Sequence, residues 1–152
     1  MVIRELLHGD CDEVSKVCMS SFMNSVAGTL SEQGIVTFKR IASGAALSER
    51  MTQDNLMLVA VINGRVAGYV ELKQGQHIAM LFVAPQYQKQ GVGRRLLSSL
   101  KSGVSNTKLT VHASTTSVSA YERYGFISVG DIAVSEGLVY QPMEININNF
   151  SE

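Results

Sequence analysis

The chain has 152 residues, 45% of them apolar and 17% charged, and a formal net charge of zero, a length that suits one domain burying about two thirds of its unfolded surface. This composition excludes a disordered chain, and the balanced charge argues against a protein that coats nucleic acid. No run approaches the ~18 apolar residues of a bilayer span, and the opening MVIRELLHGDCDEV has early acids and no apolar core ahead of them, so neither membrane insertion nor secretion is expected and the location is read as cytoplasmic.

In chain order, VIREL reads as a strand and GDCDEVSKVCMSSFMNSV as a helix, with Asp10 or Asp12 as N-cap and Val14, Val17, Cys18 and Phe22 on its apolar face. Cys11 and Cys18 lie two turns apart along that helix, too far to bridge, so both are expected as free thiols, Cys18 in the core. No cysteine–histidine cluster accompanies them, and no metal is expected. LSEQGIVTFKRIASGAALSERM reads as two short helices punctuated by Gly34 and Gly44. NLMLVAVINGRVAGYVELK is a hairpin about Asn63-Gly64, the favoured pair for a type I′ turn. HIAMLFV, apolar on both faces, reads as a central strand.

GVGRRLLSSLKSGV is a helix with Val92, Leu96, Leu97 and Leu100 inward, ended by Gly103. KLTVHA is a further buried strand. Ser114 or Thr115 can cap the short helix TSVSAYERY, and Gly125 closes it in a left-handed turn. The tail FISVGDIAVSEGLVYQPMEINI reads as two strands joined near Glu136-Gly137. Strands and helices mix without strict βαβ alternation, there is no linker or repeat, and the expectation is one α+β domain over residues 1–152.

Charge is unevenly placed. From Leu72 to Tyr121 there is no Asp or Glu, yet Lys73, Lys89, Arg94, Arg95, Lys101 and Lys108 all fall there. A polyanion bound to this stretch meets no carboxylate from it, and the stretch contains two glycines ahead of a helix. A Walker loop requires Lys-Ser/Thr after its last glycine, whereas Arg94-Arg95 follow Gly93. A dinucleotide fingerprint requires a third glycine, where Leu96 stands, and an acid after the next strand, which is missing. What remains is Gln/Arg-x-x-Gly-x-Gly/Ala, reading Gln88-Lys89-Gln90-Gly91-Val92-Gly93. Such a loop brings successive backbone N–H groups onto a pyrophosphate at a helix N-terminus, with Lys89, Arg94 or Arg95 adding positive potential.

About thirty residues on, Tyr121-Glu122-Arg123-Tyr124-Gly125-Phe126 supplies a Tyr-x-x-x-Gly-Phe pattern. With the strand before the loop and KLTVHA between the motifs, the chain resembles the GNAT superfamily of acetyl-CoA-dependent N-acetyltransferases, strongly over residues 77 to 126. HIAMLFVAPQYQKQGVGRRLL, LTVHAS, AYERYGF and the late PME look like its small single-domain bacterial branch. The resemblance implies a three-layer α/β/α fold with a mixed, mostly antiparallel sheet whose splayed strands form a wedge for acetyl-CoA. It also implies a cofactor site along Leu81, Phe82 and Val83, where the pantetheine amides pair as an added strand. Gln88, Lys89, Gln90, Gly91, Val92, Gly93, Arg94 and Arg95 would hold the pyrophosphate, with Ser114 and Tyr124 alongside. A backbone N–H near Met80 or Leu81 would polarise the thioester carbonyl.

The family transfers directly, without an acyl-enzyme, and nothing here resembles an activated nucleophile. Tyr121 stands at the motif position of the acid that protonates the departing CoA thiolate. For the proton acceptor the residues leave several candidates open: Glu71, His77, His112 and Glu32. An unperturbed imidazole pKa of about 6.5 suits the task, and strand alternation places His77 on one face with Ala79 and Leu81. Two departures from the family pattern stand out: Ala113-Ser114 replaces a frequent asparagine, and Ser117 replaces a small alanine.

Acceptor contacts are expected between Phe22 and Met51, with Phe22 and Glu32 as candidates, and in the tail from Tyr140 to Met143, with Tyr140 as candidate. The scarcity of acids there suits a small or neutral-flanked amine better than a polycation. The expected activity is acetyl transfer to a primary amine of a small molecule or peptide, with acetyl-CoA as co-substrate. Protein N-terminal or lysine acetylation, and a non-catalytic acyl-CoA-binding module, are the alternatives. Nucleic acid is not an expected partner, because no aromatic platform accompanies the basic stretch. A homodimer through the final strands is compatible with the fold.

Overall fold

The computed structural model describes residues 1–150, so the last two positions of the expected domain lie outside the described residues. The elements are β1 (Val2–Glu5), α1 (Cys11–Ser25), α2 (Glu32–Ile41), α3 (Gly44–Arg50), β2 (Asn55–Ile62), β3 (Arg65–Lys73) and β4 (His77–Val83). They continue with α4 (Val92–Ser99), β5 (Lys108–Ala113), α5 (Val118–Tyr124), β6 (Ile127–Ser128), β7 (Ala133–Ser135) and β8 (Leu138–Asn146). The sheet runs β1-β2-β3-β4-β5-β8-β6, with β7 paired to β8. Its pairings are antiparallel except for β4 with β5, which run parallel.

Two apolar cores sandwich the sheet. On one face α1, α2 and α3 deliver Val14, Cys18, Phe22, Phe38 and Leu47 against Tyr69 and Met80. On the other, α4 and α5 deliver Val92, Leu96, Leu97 and Tyr121 against Val70, Ile78 and Val111. The layers are therefore α/β/α, and the strands are apolar on both faces because both are covered.

Local chemistry explains most boundaries. Asn63 and Gly64 have φ of 52° and 77°, the left-handed pair a type I′ hairpin demands. Ser43 caps α3, its hydroxyl accepting from Ala46 N at 3.1 Å. It is Ser43 that separates α2 from α3; Gly34 lies inside the first turn of α2 and breaks nothing. Asp10 stands at the N-cap of α1 without bonding that helix. Its carboxylate instead clasps Arg4 at 2.7 and 3.0 Å and accepts from Leu7 N at 2.8 Å, and the Arg4 hydrogen bond holds it below the usual carboxylate range. The tail forms three strands, because Ile127–Ser128 adds a short edge beside β8 ahead of the Glu136–Gly137 hairpin. Both cysteines are free and buried.

A β-bulge in β4 positions the site. Met80 opposes Glu71 and Ile78 opposes Leu72, leaving Ala79 without an opposite residue on β3. The extra residue reverses the alternation. His77 therefore shares a face with Met80 and Phe82, while Leu81 packs in the opposite core, so the expectation that His77, Ala79 and Leu81 share a face fails.

Candidate active site

The parallel strands β4 and β5 stay together for two residue pairs only, His77 with Thr110 and Ile78 with Val111. Beyond them β5 remains bound to β8, through Ala113 opposite Gln141, and β4 remains bound to β3. The two strands therefore part, and residues 79–83 of β4 present an unpaired edge. The Ala84 N–H donates to Ala67 O at 2.8 Å. By antiparallel alternation the N–H and C=O groups of Val83 and Leu81 then face away from β3, into the gap. The Val83 carbonyl accepts from Gln88 Nε2 at 3.1 Å, which ties the following loop to the end of the strand.

That loop takes its shape from left-handed residues at Lys89 (φ 62°) and Gly91 (φ 83°). Gly91 is the N-cap of α4 and offers no side chain to its first turn, so the first-turn N–H groups of Val92 and Gly93 receive no side-chain cap from it. Gly93 serves a different purpose: a Cβ there would lie 2.5 Å from the Tyr124 hydroxyl. Arg94 lies over the Tyr124 ring, 5.4 Å from its centroid. A cavity of about 490 Å³ follows this path, lined by Leu81, Val83, Gln88, Lys89, Gly91 and Arg94 among others.

A second cavity, of about 300 Å³, occupies the gap between β4 and β5. Tyr121 borders both cavities, as do Leu81, Phe82, Ser117 and Val26. The Tyr121 residue is only 7% exposed, and burial pushes its phenol pKa up. No fully buried side-chain oxygen or nitrogen among the described residues lacks a hydrogen-bond partner. The Tyr121 hydroxyl has none among the described residues, so it keeps contact with the cavity. A protonated phenol so placed is equipped to donate to a group arriving there.

His77 lies on the wall of the second cavity, its Nδ1 2.8 Å from Thr110 Oγ1. With Thr110 donating to Gln76 O at 3.4 Å, its oxygen accepts Nδ1–H and leaves the His77 Nε2 lone pair available. Burial first, then the neighbouring His112 and Lys73, bring the His77 pKa down to about 4. His112 meets His77 edge-on, with centroids 4.6 Å apart, and stacks on Tyr140 at 4.0 Å; its pKa is also lowered by burial. At neutral pH both rings are uncharged.

The structure distributes the remaining candidates unevenly. Phe22, Tyr140 and Ser114 reach the second cavity. Glu71 borders neither cavity and is 1% exposed, its carboxylate held by Arg50 and Tyr69. Glu32 stands exposed in the first turn of α2, also away from both cavities. Arg95 lies on the exposed side of α4, and Gln90 folds back to Gln86 O at 3.2 Å. Ser114 hydrogen-bonds Ser117 at 2.6 Å and caps no backbone N–H. Phe38 and Leu138 escaped the sequence reading although both line the second cavity. Their apolar spacing signals core, and only the contact of α2 with the β7–β8 hairpin brings them to the site. No group of three or more His, Cys, Asp or Glu among the described residues is arranged for a metal ion. No described helix is long and apolar enough to cross a membrane.

Residues 26–147 match the acetyltransferase (GNAT) domain family. The chain is 32% identical over 131 residues to the uncharacterized N-acetyltransferase YafP of Escherichia coli (strain K12), covering 84% of this chain and 81% of that protein. Among solved structures it is similar to a GCN5-related N-acetyltransferase from Rhodopseudomonas palustris, with TM-score 0.84 and 25% identity over 95% of this chain and 94% of the other. It also resembles in fold the PaiA N-acetyltransferase of Thermoplasma acidophilum in complex with coenzyme A, with TM-score 0.74 and 22% identity over 95% and 98% of the two chains.

Proposed function

The chain belongs to the GNAT acetyltransferases, a family of acyltransferases, and from that premise we propose that it moves the acetyl group of acetyl-CoA directly to a primary amine. The observation that carries this reading is the continuity of three features: the unpaired edge of β4, the left-handed loop at the start of α4, and Tyr121 where the two cavities meet. Pantetheine amides complement the Leu81 and Val83 backbone, and a pyrophosphate complements the N–H groups of Val92 and Gly93. The solved PaiA relative, which carries coenzyme A, is similar in fold and supports the same reading. Acetyl-CoA supplies an activated thioester.

The chain's own residues manage orientation and protons. The Leu81 N–H, which alternation turns into the gap, is placed to meet charge developing on the thioester oxygen. The amine nitrogen bonds to the acetyl carbon as the carbon–sulfur bond breaks. Tyr121 gives a proton to the departing thiolate, and His77 Nε2, directly or through water, takes the one the amine releases. The net transfer is one acetyl group from sulfur to nitrogen and one proton from amine to thiol.

Calorimetric titration with acetyl-CoA, against CoA, NADH and ATP, tests the reading. Micromolar binding confined to acetyl-CoA and CoA is expected, and lost in Gly91→Glu, which places a carboxylate and a strained left-handed side chain over the anion site. Equal binding of all the nucleotides, or of none, would remove the cofactor assignment.

A further inference from the structure

Resting on that reading, we propose that the acceptor is a small monoamine on an apolar aryl or alkyl body, taken up in the cavity beside His77 as a free molecule and not as part of a peptide. Three phenylalanines from separate elements build the wall. Phe22 of α1 and Phe38 of α2 stack with centroids 3.9 Å apart, and Phe82 of β4 meets Phe38 edge-on at 5.2 Å. Leu138 and Val139 of β8 add aliphatic surface. This apolar wall gains from burying a hydrocarbon body.

The charges say what is refused. Among the described residues, Glu136 is the one acid that borders the cavity, and it is exposed and paired with Arg40 at 3.1 Å. Glu71, behind the same wall, is spent on Arg50 and Tyr69. A polyamine brings a second ammonium group, which would be buried with no unpaired carboxylate to meet it. The neutral His77 and His112 rings fit an amine that enters or becomes uncharged before attack.

The shape disfavours a peptide. The tip of the β7–β8 hairpin is fastened to α2: Thr37 Oγ1 donates to Glu136 O at 2.7 Å, and Arg40 pairs with the same residue. Gly34 and Gly137 pack backbone to backbone, and a Cβ on either would collide with the other. Both α2 and the hairpin line the cavity, so their junction bounds it on one side and narrows the room for an extended chain. The volume, about 300 Å³, sits at the small end of ligand pockets.

The test follows free CoA thiol released with phenethylamine, hexylamine, spermidine and a hexapeptide with a free N-terminus. For the two monoamines kcat/KM should exceed that for spermidine and the peptide by about tenfold or more. A preference for spermidine or for the peptide overturns the proposal. Calorimetry of phenethylamine with the protein, with and without CoA, reads the cavity independently of turnover, and failure of both monoamines to bind also overturns it. Failure of acetyl-CoA to bind would instead refute the transferase reading, while the amine titrations still decide the cavity. Val139→Glu, at a half-buried wall position, should lower the phenethylamine-to-spermidine ratio about tenfold. An unchanged ratio counts against this wall as the selector.

Discussion

Arg50 grips both carboxylate oxygens of Glu71, Nε to Oε2 at 2.8 Å and Nη2 to Oε1 at 3.2 Å. Tyr69 donates to Oε1 at 2.7 Å, and Arg50 also reaches Ile41 O at 2.9 Å and Met80 Sδ at 3.4 Å. The cluster thus joins α2 and α3 to β3 and to the strand that carries the bulge. Burial and the adjacent Glu71 push the Tyr69 phenol up, so it stays a donor.

Arg50→Met leaves Glu71 buried with one partner and should cost about 3–5 kcal/mol of stability. Arg40→Met breaks an exposed pair, with side chains 67% and 63% accessible, and should cost no more than about 1 kcal/mol. Urea denaturation of both variants makes the comparison, and equal losses would contradict a structural assignment for the Arg50 cluster.

The folded-state pKa of His77 is about 4, below the ordinary imidazole value of about 6.5. As pH falls through that ordinary value the unfolded chain takes up a proton that the folded chain refuses until about 4. Stability should therefore decline across this window on acidification and be indifferent to His77 above it. His112, also lowered by burial, acts in the same direction. His77→Gln should flatten the decline in denaturation midpoints, and its turnover at neutral pH should fall about 10²-fold or more. A steep acid limb retained by the variant would assign the effect elsewhere.

Tyr121→Phe keeps the ring between the two cavities and removes only the hydroxyl. Turnover should drop about 10²-fold with acetyl-CoA affinity nearly unchanged, measured by thiol release and calorimetry. Retained activity would move the acid to Tyr124 or to water.

Gly93 and Tyr124 should be coupled, because a Cβ at position 93 would lie 2.5 Å from the Tyr124 hydroxyl and 3.5 Å from the ring carbon bearing it. Gly93→Ala should destabilise by about 1–3 kcal/mol. In a Tyr124→Phe background the same substitution should be neutral or slightly stabilising, since the clash is gone and alanine favours a helix. Additive midpoints in a double-mutant cycle would count against this packing explanation.

Features written in adjacent residues were legible without a structure. Asn63-Gly64 and Gly125 each mark a left-handed backbone position, and that requirement is a property of the residue itself. Apolar periodicity likewise identified α1, β4 and α4 and read β4 as a central strand, while the resemblance to the family implied the α/β/α layers. Gly34 shows the limit of this reasoning: it looks like a helix breaker, yet its purpose is to admit Gly137, about a hundred residues later.

By itself, then, the sequence determined the α+β class, the glycine loop ahead of α4, the family to which the chain belongs, and the pair of motifs about thirty residues apart. Tertiary structure alone decided which candidates meet. The Ala79 bulge turned Leu81 away from the His77 face, Arg50 drew Glu71 into a buried pair, and the hairpin docked on α2 to form one side of the second cavity. The physical reason is that turn chemistry and amphipathic period act within a few residues. Strand register, ion pairing and backbone approach instead depend on partners that only the folded chain brings together.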